Sequence, residues 1–184
     1  MTKTLISSVA AAAVLLTGIF IIGASPAKAA DAPTDPQIVG IVLAADQIDI
    51  DYGKIALAKS KNKGVRDFAQ RMVTDHSAVQ NSVIGLASKL NVTAEDSGVS
   101  TSLKSGAVDI TAKLNSLKGK EFDKFYIDNE VSYHKAVTDA VADVLIPNAQ
   151  NAELKSALEG AQPLFLKHLE HARLVQSGGE MSHK

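Results

Sequence analysis

One stretch of the sequence, from residue 65 to residue 90, constrains the fold more than any other. Read at alternating steps of four and three residues, it gives an almost wholly apolar series: Val65, Ala69, Met72, His76, Val79, Val83, Leu86 and Leu90. This spacing is typical of one face of a helix that packs lengthwise against other helices. Only His76 interrupts the series, and a buried imidazole is costly unless another group satisfies it. The stretch therefore predicts a helical bundle, and the first functional question is what His76 contacts.

Three other segments show the same spacing, which predicts four long helices in all. Two of these segments have predicted ranges of about 36–60 and 120–146, and the last follows the turn at residues 148–151. Asp35 is the predicted cap of the first helix, because an acidic side chain before a proline favours a helix start. Pro163, inside the last helix, predicts a kink or a local break.

A long connection joins the second and third long helices. It comprises a polar stretch at residues 91–102 and a weaker helical piece at 103–117. A connection of this length can cross a bundle from end to end, as ferritin-like topologies require. The predicted fold class is therefore all-α: a ferritin-like four-helix bundle with a long connection, containing a short helix, between the second and third long helices. The predicted divisions of the chain are a signal peptide at 1–29, an N-terminal linker at 30–37, the helical bundle domain at 38–177 and a disordered tail at 178–184.

The first 29 residues have the pattern of a targeting segment. A basic start at Lys3 precedes an apolar run at residues 5–24, and Ala27-Lys28-Ala29 is a small-x-small cleavage signal. The alternative is an uncleaved membrane anchor, because the apolar run is long enough to span a bilayer. Pro26, directly before the cleavage signal, favours cleavage after Ala29. We therefore expect a periplasmic or secreted protein with no stable membrane insertion after cleavage.

Composition excludes several classes of function. The chain has 19 basic and 20 acidic side chains, and two of the basic ones lie in the first 29 residues. We therefore expect neither nucleic acid nor an anionic lipid surface as a partner. The absence of cysteine excludes a lipoprotein anchor, disulfides and thiolate chemistry. No catalytic triad order, phosphate loop or nucleotide motif assigns an enzyme activity, and a homo-oligomer or other protein partner stays open.

Ionisable side chains interrupt each of the four apolar faces at one place. They are Asp49, His76, Glu130 with His134, and His168. A crossing connection would bring all of them to a similar depth in the bundle. Imidazole and carboxylate groups are the ligands of iron, zinc, manganese and copper in proteins. The pattern therefore predicts a core site for one transition-metal ion, formed by these five residues.

A second interpretation needs no metal. A buried layer of imidazoles and carboxylates can be a hydrogen-bond network that only fixes helix packing, in a structural or stress-related protein. The residues leave both interpretations open. Asp46 and Asp51 are predicted to point aside into solvent, and His171 is a candidate outer ligand. Met181 and His183 resemble a weak copper-type pair in the tail.

Four motifs together resemble a known family. They are Asp49-Ile-Asp-Tyr-Gly-Lys-Ile-Ala56, Val65-Arg-Asp-Phe-Ala-Gln-Arg-Met-Val-Thr-Asp-His76, Glu121-Phe-Asp-Lys-Phe-Tyr126 followed by His134, and Pro163 followed by His168. This pattern is similar to a domain-of-unknown-function family of exported bacterial proteins, often labelled outer membrane proteins and placed among ferritin-like folds. The resemblance implies the fold and a periplasmic setting, and it implies no activity.

The resemblance to ferritin-like proteins does not extend to a di-iron centre. Ferritin-like di-iron proteins place a Glu on two helices and Glu-x-x-His on the other two. Here Asp75 directly precedes His76, and Glu130 lies four residues before His134. With fewer carboxylates and more imidazoles than that pattern, one metal ion, or none, fits better than a bridged pair.

Overall fold

The chain is all-helical in a computed structural model that describes residues 32–179. Its helices are α1 (Asp35–Lys59), α2 (Lys63–Lys89), α3 (Gly98–Ser116), α4 (Gly119–Ala140), α5 (Ile146–Asn148) and α6 (Ala152–Gln176), with a π-helical turn at Val141–Leu145. The predicted all-α bundle is confirmed for this part of the chain. Within it, no helix has the length and apolar character that crossing a bilayer requires. The predicted signal peptide and the Met181–His183 pair lie outside the described residues.

The connection between α2 and α4 crosses the length of the bundle, as predicted. It begins beside the start of α1, where the amide of Glu95 donates to the carbonyl oxygen of Pro36 at 3.0 Å. It ends beside the end of α1, where Lys59 Nζ donates to the carbonyl oxygens of Leu114 and Asn115 at 2.6 Å each. α4 therefore starts from the same end of the bundle as α2, and the two antiparallel pairs are α1 with α2 and α4 with α6.

The helix within this connection is longer than predicted. α3 begins at Gly98 because Ser97 caps it in a capping box with Ser100. It packs along α1, so α1 is buried on more than one face. The consecutive residues Ile48, Asp49 and Ile50 are all buried, which a helix with a single apolar face does not show.

The start of α1 also differs from the prediction. Thr34, not Asp35, caps α1, in a capping box with Gln37. The carboxylate of Asp35 instead accepts from the amides of Gln150 and Asn151, at 2.8 and 2.9 Å. Asp35 therefore joins the start of α6 to the start of α1.

The π-helical turn changes which residues face the core after α4. The three-four spacing of apolar residues in the predicted helix at 120–146 predicts that its buried face continues from Val141 to Val144. In the structure Val144 is 39 % exposed, whereas Leu145 is only 3 % exposed. A π turn adds one residue to a helical turn, so the buried position moves from 144 to 145. The chain stays helical past Pro147, to Asn148, and does not end at residue 146.

Pro163 does not interrupt the last helix. α6 runs without a break from Ala152 to Gln176 and contains Pro163 in its interior. The expected local break is therefore absent. Pro163 is exposed, so its ring requires no space in the core.

Two apolar clusters fill the bundle, one on either side of the polar residues. The cluster nearer the start of α1 includes Ile38, Val42, Val83, Leu145, Leu158 and Phe165. The cluster nearer its end includes Tyr52, Phe68, Met72, Phe122, Tyr126 and Ala172. Burial of these side chains supplies the main driving force for folding. The ionisable residues lie between the two clusters and are therefore shielded from water at both ends.

Candidate metal centre

The structure brings together all five residues predicted as metal ligands. They come from four helices, and none is more than 2 % exposed: Asp49, His76, Glu130, His134 and His168. They form two overlapping groups, in which one potential ligand atom per residue lies within 4.8 Å of the others. One group holds the three histidines, and the other holds Asp49, Glu130 and His134.

The three imidazole rings lie close to one another at the centre of the bundle. The ring centroids are 5.6 Å apart for His76 and His134, 5.1 Å for His76 and His168, and 5.3 Å for His134 and His168. The Nε2 atoms of His76 and His134 are 3.4 Å apart. Two nitrogens that bind one ion tetrahedrally at about 2.1 Å are themselves about 3.4 Å apart. These two rings are therefore already spaced to share an ion.

Carboxylates outside the cluster bind the outer nitrogen of two of the imidazoles. His76 Nδ1 lies 2.8 Å from Asp46 Oδ1, and His168 Nε2 lies 2.9 Å from Asp75 Oδ2. An imidazole that donates from one nitrogen keeps the other as an acceptor. Metal-binding histidines are commonly oriented in this way by a carboxylate. The remaining nitrogens are Nε2 of His76 and Nδ1 of His168.

His134 has a backbone partner in the same role. Its Nδ1 lies 3.1 Å from the carbonyl oxygen of Glu130, one turn earlier on α4. Backbone carbonyls orient metal-binding imidazoles as carboxylates do. The Nε2 atom of His134 is thereby left to face His76. All three imidazoles are therefore held by an acceptor at one nitrogen.

The carboxylates of Asp49 and Glu130 lie among the imidazoles. Asp49 Oδ2 is 2.7 Å from His76 Nε2 and 3.4 Å from His134 Nε2. Glu130 Oε2 is 3.4 Å from His134 Nδ1. Among residues 32–179, no hydrogen bond of acceptable geometry reaches any of the four carboxylate oxygens. In the metal-free protein Asp49 Oδ2 is stabilised by the charge of His76, 2.7 Å away. A metal cation is a partner that buried carboxylate oxygens of this kind fit.

Burial and mutual charge set the protonation of the cluster. Burial opposes ionisation of Asp49, but the charges of His76 and His134 outweigh it and lower the pKa of Asp49. Burial likewise opposes protonation of the two imidazoles, but the Asp49 carboxylate raises the pKa of His76 to about 9 and that of His134 to about 10. Burial, with the Asp49 charge adding to it, raises the pKa of Glu130 to about 8. Burial lowers the pKa of His168 to about 4. Without a metal, these shifts favour an ionised Asp49 beside protonated His76 and His134, with Glu130 protonated and His168 neutral at neutral pH.

The prediction that Asp46 is solvated is wrong. Its side chain is 2 % exposed and accepts the hydrogen bond from His76. The physical reason is α3, which packs on α1: Val99 and Leu103 of α3 line a pocket together with Asp46. Asp51 is exposed, as predicted.

Two further residues have roles that the sequence did not assign. Asp75 accepts the hydrogen bond from His168. The only sign of this role in the sequence is that Asp75 directly precedes His76, because consecutive residues of a helix can face two different neighbouring helices. His171, the candidate outer ligand, is buried but packs edge-on against Phe68, with ring centroids 5.1 Å apart. It belongs to neither group of potential ligands.

Aromatic side chains fix the orientation of the rings. Phe165 stacks on His76, with centroids 5.5 Å apart and an interplanar angle of 10°. Phe68 meets His134 edge-on at 6.3 Å. Such pairs add to the apolar burial of the rings. The imidazoles are therefore held by packing as well as by hydrogen bonds.

Fold and cluster together define a class: an all-α bundle with buried imidazole and carboxylate groups that are arranged so that they could hold a metal ion. Residues 23–175 match the model of the family described as Domain of unknown function (DUF4142), and the chain belongs to that family. No curated protein matches the chain, and no solved structure does. The resemblance seen in the four motifs is thus confirmed at the level of the family. The ferritin-like and exported features stay predictions.

Proposed function

We propose that the buried cluster binds one transition-metal ion. The observation that carries the proposal is the orientation of the imidazoles: each engages an acceptor at one nitrogen and directs the other toward its neighbours. A network that serves only packing is complete when donors meet acceptors. In this cluster Asp49 Oδ1 and both carboxylate oxygens of Glu130 have no hydrogen-bond partner within residues 32–179, and Asp49 Oδ2 is paired only by charge, with His76 Nε2 at 2.7 Å. A cation satisfies such a set of acceptors together.

The donor set limits the class of ion. The proposed ligands are the three imidazoles with Asp49, and Glu130 beside His134 is a fifth candidate. Nitrogen and carboxylate ligands suit iron, zinc, manganese or copper, whereas a site without thiolates does not favour the softest ions. Asp46 and Asp75 would orient the imidazoles and tune their basicity from outside. Two carboxylates among five residues suit one ion rather than a carboxylate-bridged pair.

Metal content and metal titration test the proposal. Protein purified without chelator should carry about one equivalent of a single metal by elemental analysis, and the metal-free protein should bind one equivalent in a calorimetric titration. His76→Ala should abolish this binding. His171→Ala is the matched control, because it removes a buried imidazole that lies outside both groups. Chelator should lower the melting temperature of the wild type and leave that of His76→Ala unchanged, because only the wild type gains stability from bound metal.

The packing interpretation predicts the opposite results. Under it, chelator has no effect, and the double change of His76→Leu with Asp49→Ala is neutral or stabilising, because apolar groups often replace buried polar layers without loss. A wild type that purifies without metal, binds none at micromolar concentration and ignores chelator would leave only that interpretation.

Export is a further part of this proposal, and its support is the sequence of residues 1–29. The small-x-small signal at Ala27-Lys28-Ala29 predicts a mature chain that starts at Ala30 or Asp31 and is found in the periplasmic fraction. N-terminal sequencing of the native protein measures this directly. Intact Met1 in the membrane pellet would contradict export by cleavage.

A further inference from the structure

A second site lies beside the cluster. A pocket of about 200 Å³ is lined by residues of the long helices α1, α2, α3, α4 and α6 and of the π-helical turn. Its walls are almost wholly apolar, and they include Ile41, Val137, Leu145 and Phe165. Val99, which also lines it, is 47 % exposed. A small molecule can therefore reach the pocket from solvent.

Asp46, one of the residues that line this pocket, carries one unsatisfied acceptor. Its Oδ1 accepts from His76 Nδ1. Its Oδ2 is buried and has no hydrogen-bond partner within residues 32–179. Tyr133, also in the lining, already donates to the carbonyl oxygen of Ala45 at 2.8 Å. A buried acceptor left without a donor costs free energy, which a donor that reaches it from the pocket would recover.

We infer that the pocket is a binding site for a small molecule with one apolar ring and one hydroxyl group, a phenol. The ring would lie against the apolar walls, and the hydroxyl would donate to Asp46 Oδ2. The size agrees, because an apolar cavity of about 150 Å³ holds benzene, and this pocket is somewhat larger. A ligand with several polar groups does not fit, because the walls offer those groups no partners.

The site is separable from the proposed metal centre. Of the residues that line the pocket, only His76 belongs to either group of potential metal ligands. Its inner nitrogen, Nε2, faces Asp49, whereas its outer nitrogen binds Asp46. Phenol binding should therefore persist in the presence of chelator, whether or not the cluster holds an ion.

Methyl-resolved NMR of the full chain, in the presence of chelator, tests this site. Phenol and toluene are titrated separately while the signals of Ile41 and Val137 are followed. Phenol should give saturable shifts with a dissociation constant on the order of 0.1–1 mM, which seven non-hydrogen atoms can supply. Phenol should bind more tightly than toluene to the wild type. In Asp46→Ala the order should reverse, because the hydroxyl then has no acceptor.

A second variant keeps the test independent of the stability of Asp46→Ala. Ala140 lines the pocket, so Ala140→Phe should fill it and weaken phenol binding at least tenfold. Ala112→Phe, at an exposed position of α3 outside the lining, is the matched control and should bind as the wild type does. The inference is overturned if phenol gives no saturable shift up to about 10 mM. It is equally overturned if Ala140→Phe binds phenol unchanged, or if toluene binds the wild type more tightly than phenol.

Discussion

Replacing Glu130 by glutamine should stabilise the metal-free protein and weaken metal binding. Glu130 is fully buried, and burial, with the Asp49 charge adding to it, raises its pKa from 4.5 to about 8. The folded protein therefore holds this proton more tightly than the unfolded chain does. The resulting stability is fully present below pH 4.5 and is lost as the pH rises toward about 8.

The size of the effect follows from the two pKa values. The loss of folding free energy in the wild type is about 3 kcal/mol at pH 7 and about 5 kcal/mol at pH 9. Glutamine has nearly the same shape and has no proton to lose, so Glu130→Gln should escape this loss. Because glutamine is a weaker metal ligand than a carboxylate, the bound ion should stabilise the variant less than the wild type.

Guanidinium unfolding of both metal-free proteins at several pH values measures the difference. Glu130→Gln should exceed the wild type by about 3 kcal/mol near pH 7, and the two should converge near pH 4.5. Glu170→Gln, at an exposed position of α6, is the control and should change stability by less than about 0.5 kcal/mol. A difference for Glu130→Gln that is the same at all pH values would refute the reasoning, because it would show that Glu130 is not held protonated by the fold.

Two further predictions concern the cluster and the packing around it. Metal affinity should rise with pH up to about 10, because His76 and His134, with pKa values of about 9 and about 10, must lose their protons to bind an ion. Competition against a chelating dye measures this dependence, and an affinity independent of pH would contradict it. Gly40→Ala should destabilise by about 1–3 kcal/mol in thermal unfolding, because its Cβ would lie 2.1 Å from the backbone oxygen of Glu95. Gly85→Ala is the matched control, because a Cβ there meets nothing within 4 Å. The higher helix propensity of alanine should stabilise this variant by about 0.5–1 kcal/mol. Equal effects of the two changes would contradict the predicted clash at Gly40.

The long helices and the convergence of five side chains were predictable because each long helix buries a continuous apolar face. A polar residue on such a face has no route to water, so His76 or His168 could be assigned to the interior from spacing alone. The crossing connection was predictable from its length. Together these features placed Asp49, Glu130 and His134 at one depth.

The remaining features depend on contacts that periodicity does not encode. Periodicity gives each helix one apolar face and therefore places Asp46 in solvent, whereas α3 covers the side of α1 on which Asp46 lies. The cap of α1 was misplaced by one residue because Thr34 and Asp35 are both good capping residues. No residue type in this segment indicates the π-helical turn, so the burial of Leu145 instead of Val144 could not be predicted.

The π-helical turn also separates the potential metal ligands of α4 from one wall of the pocket. It amounts to one residue inserted into a helix, and it comes after Glu130 and His134 in the chain but contributes Val141 and Leu145 to the pocket. Losing that residue would turn the wall beyond it by about 100°, whereas Glu130 and His134 precede the turn on α4 and would stay in place. A single-codon deletion in the turn would therefore change the shape of the pocket without moving the two potential metal ligands that α4 contributes.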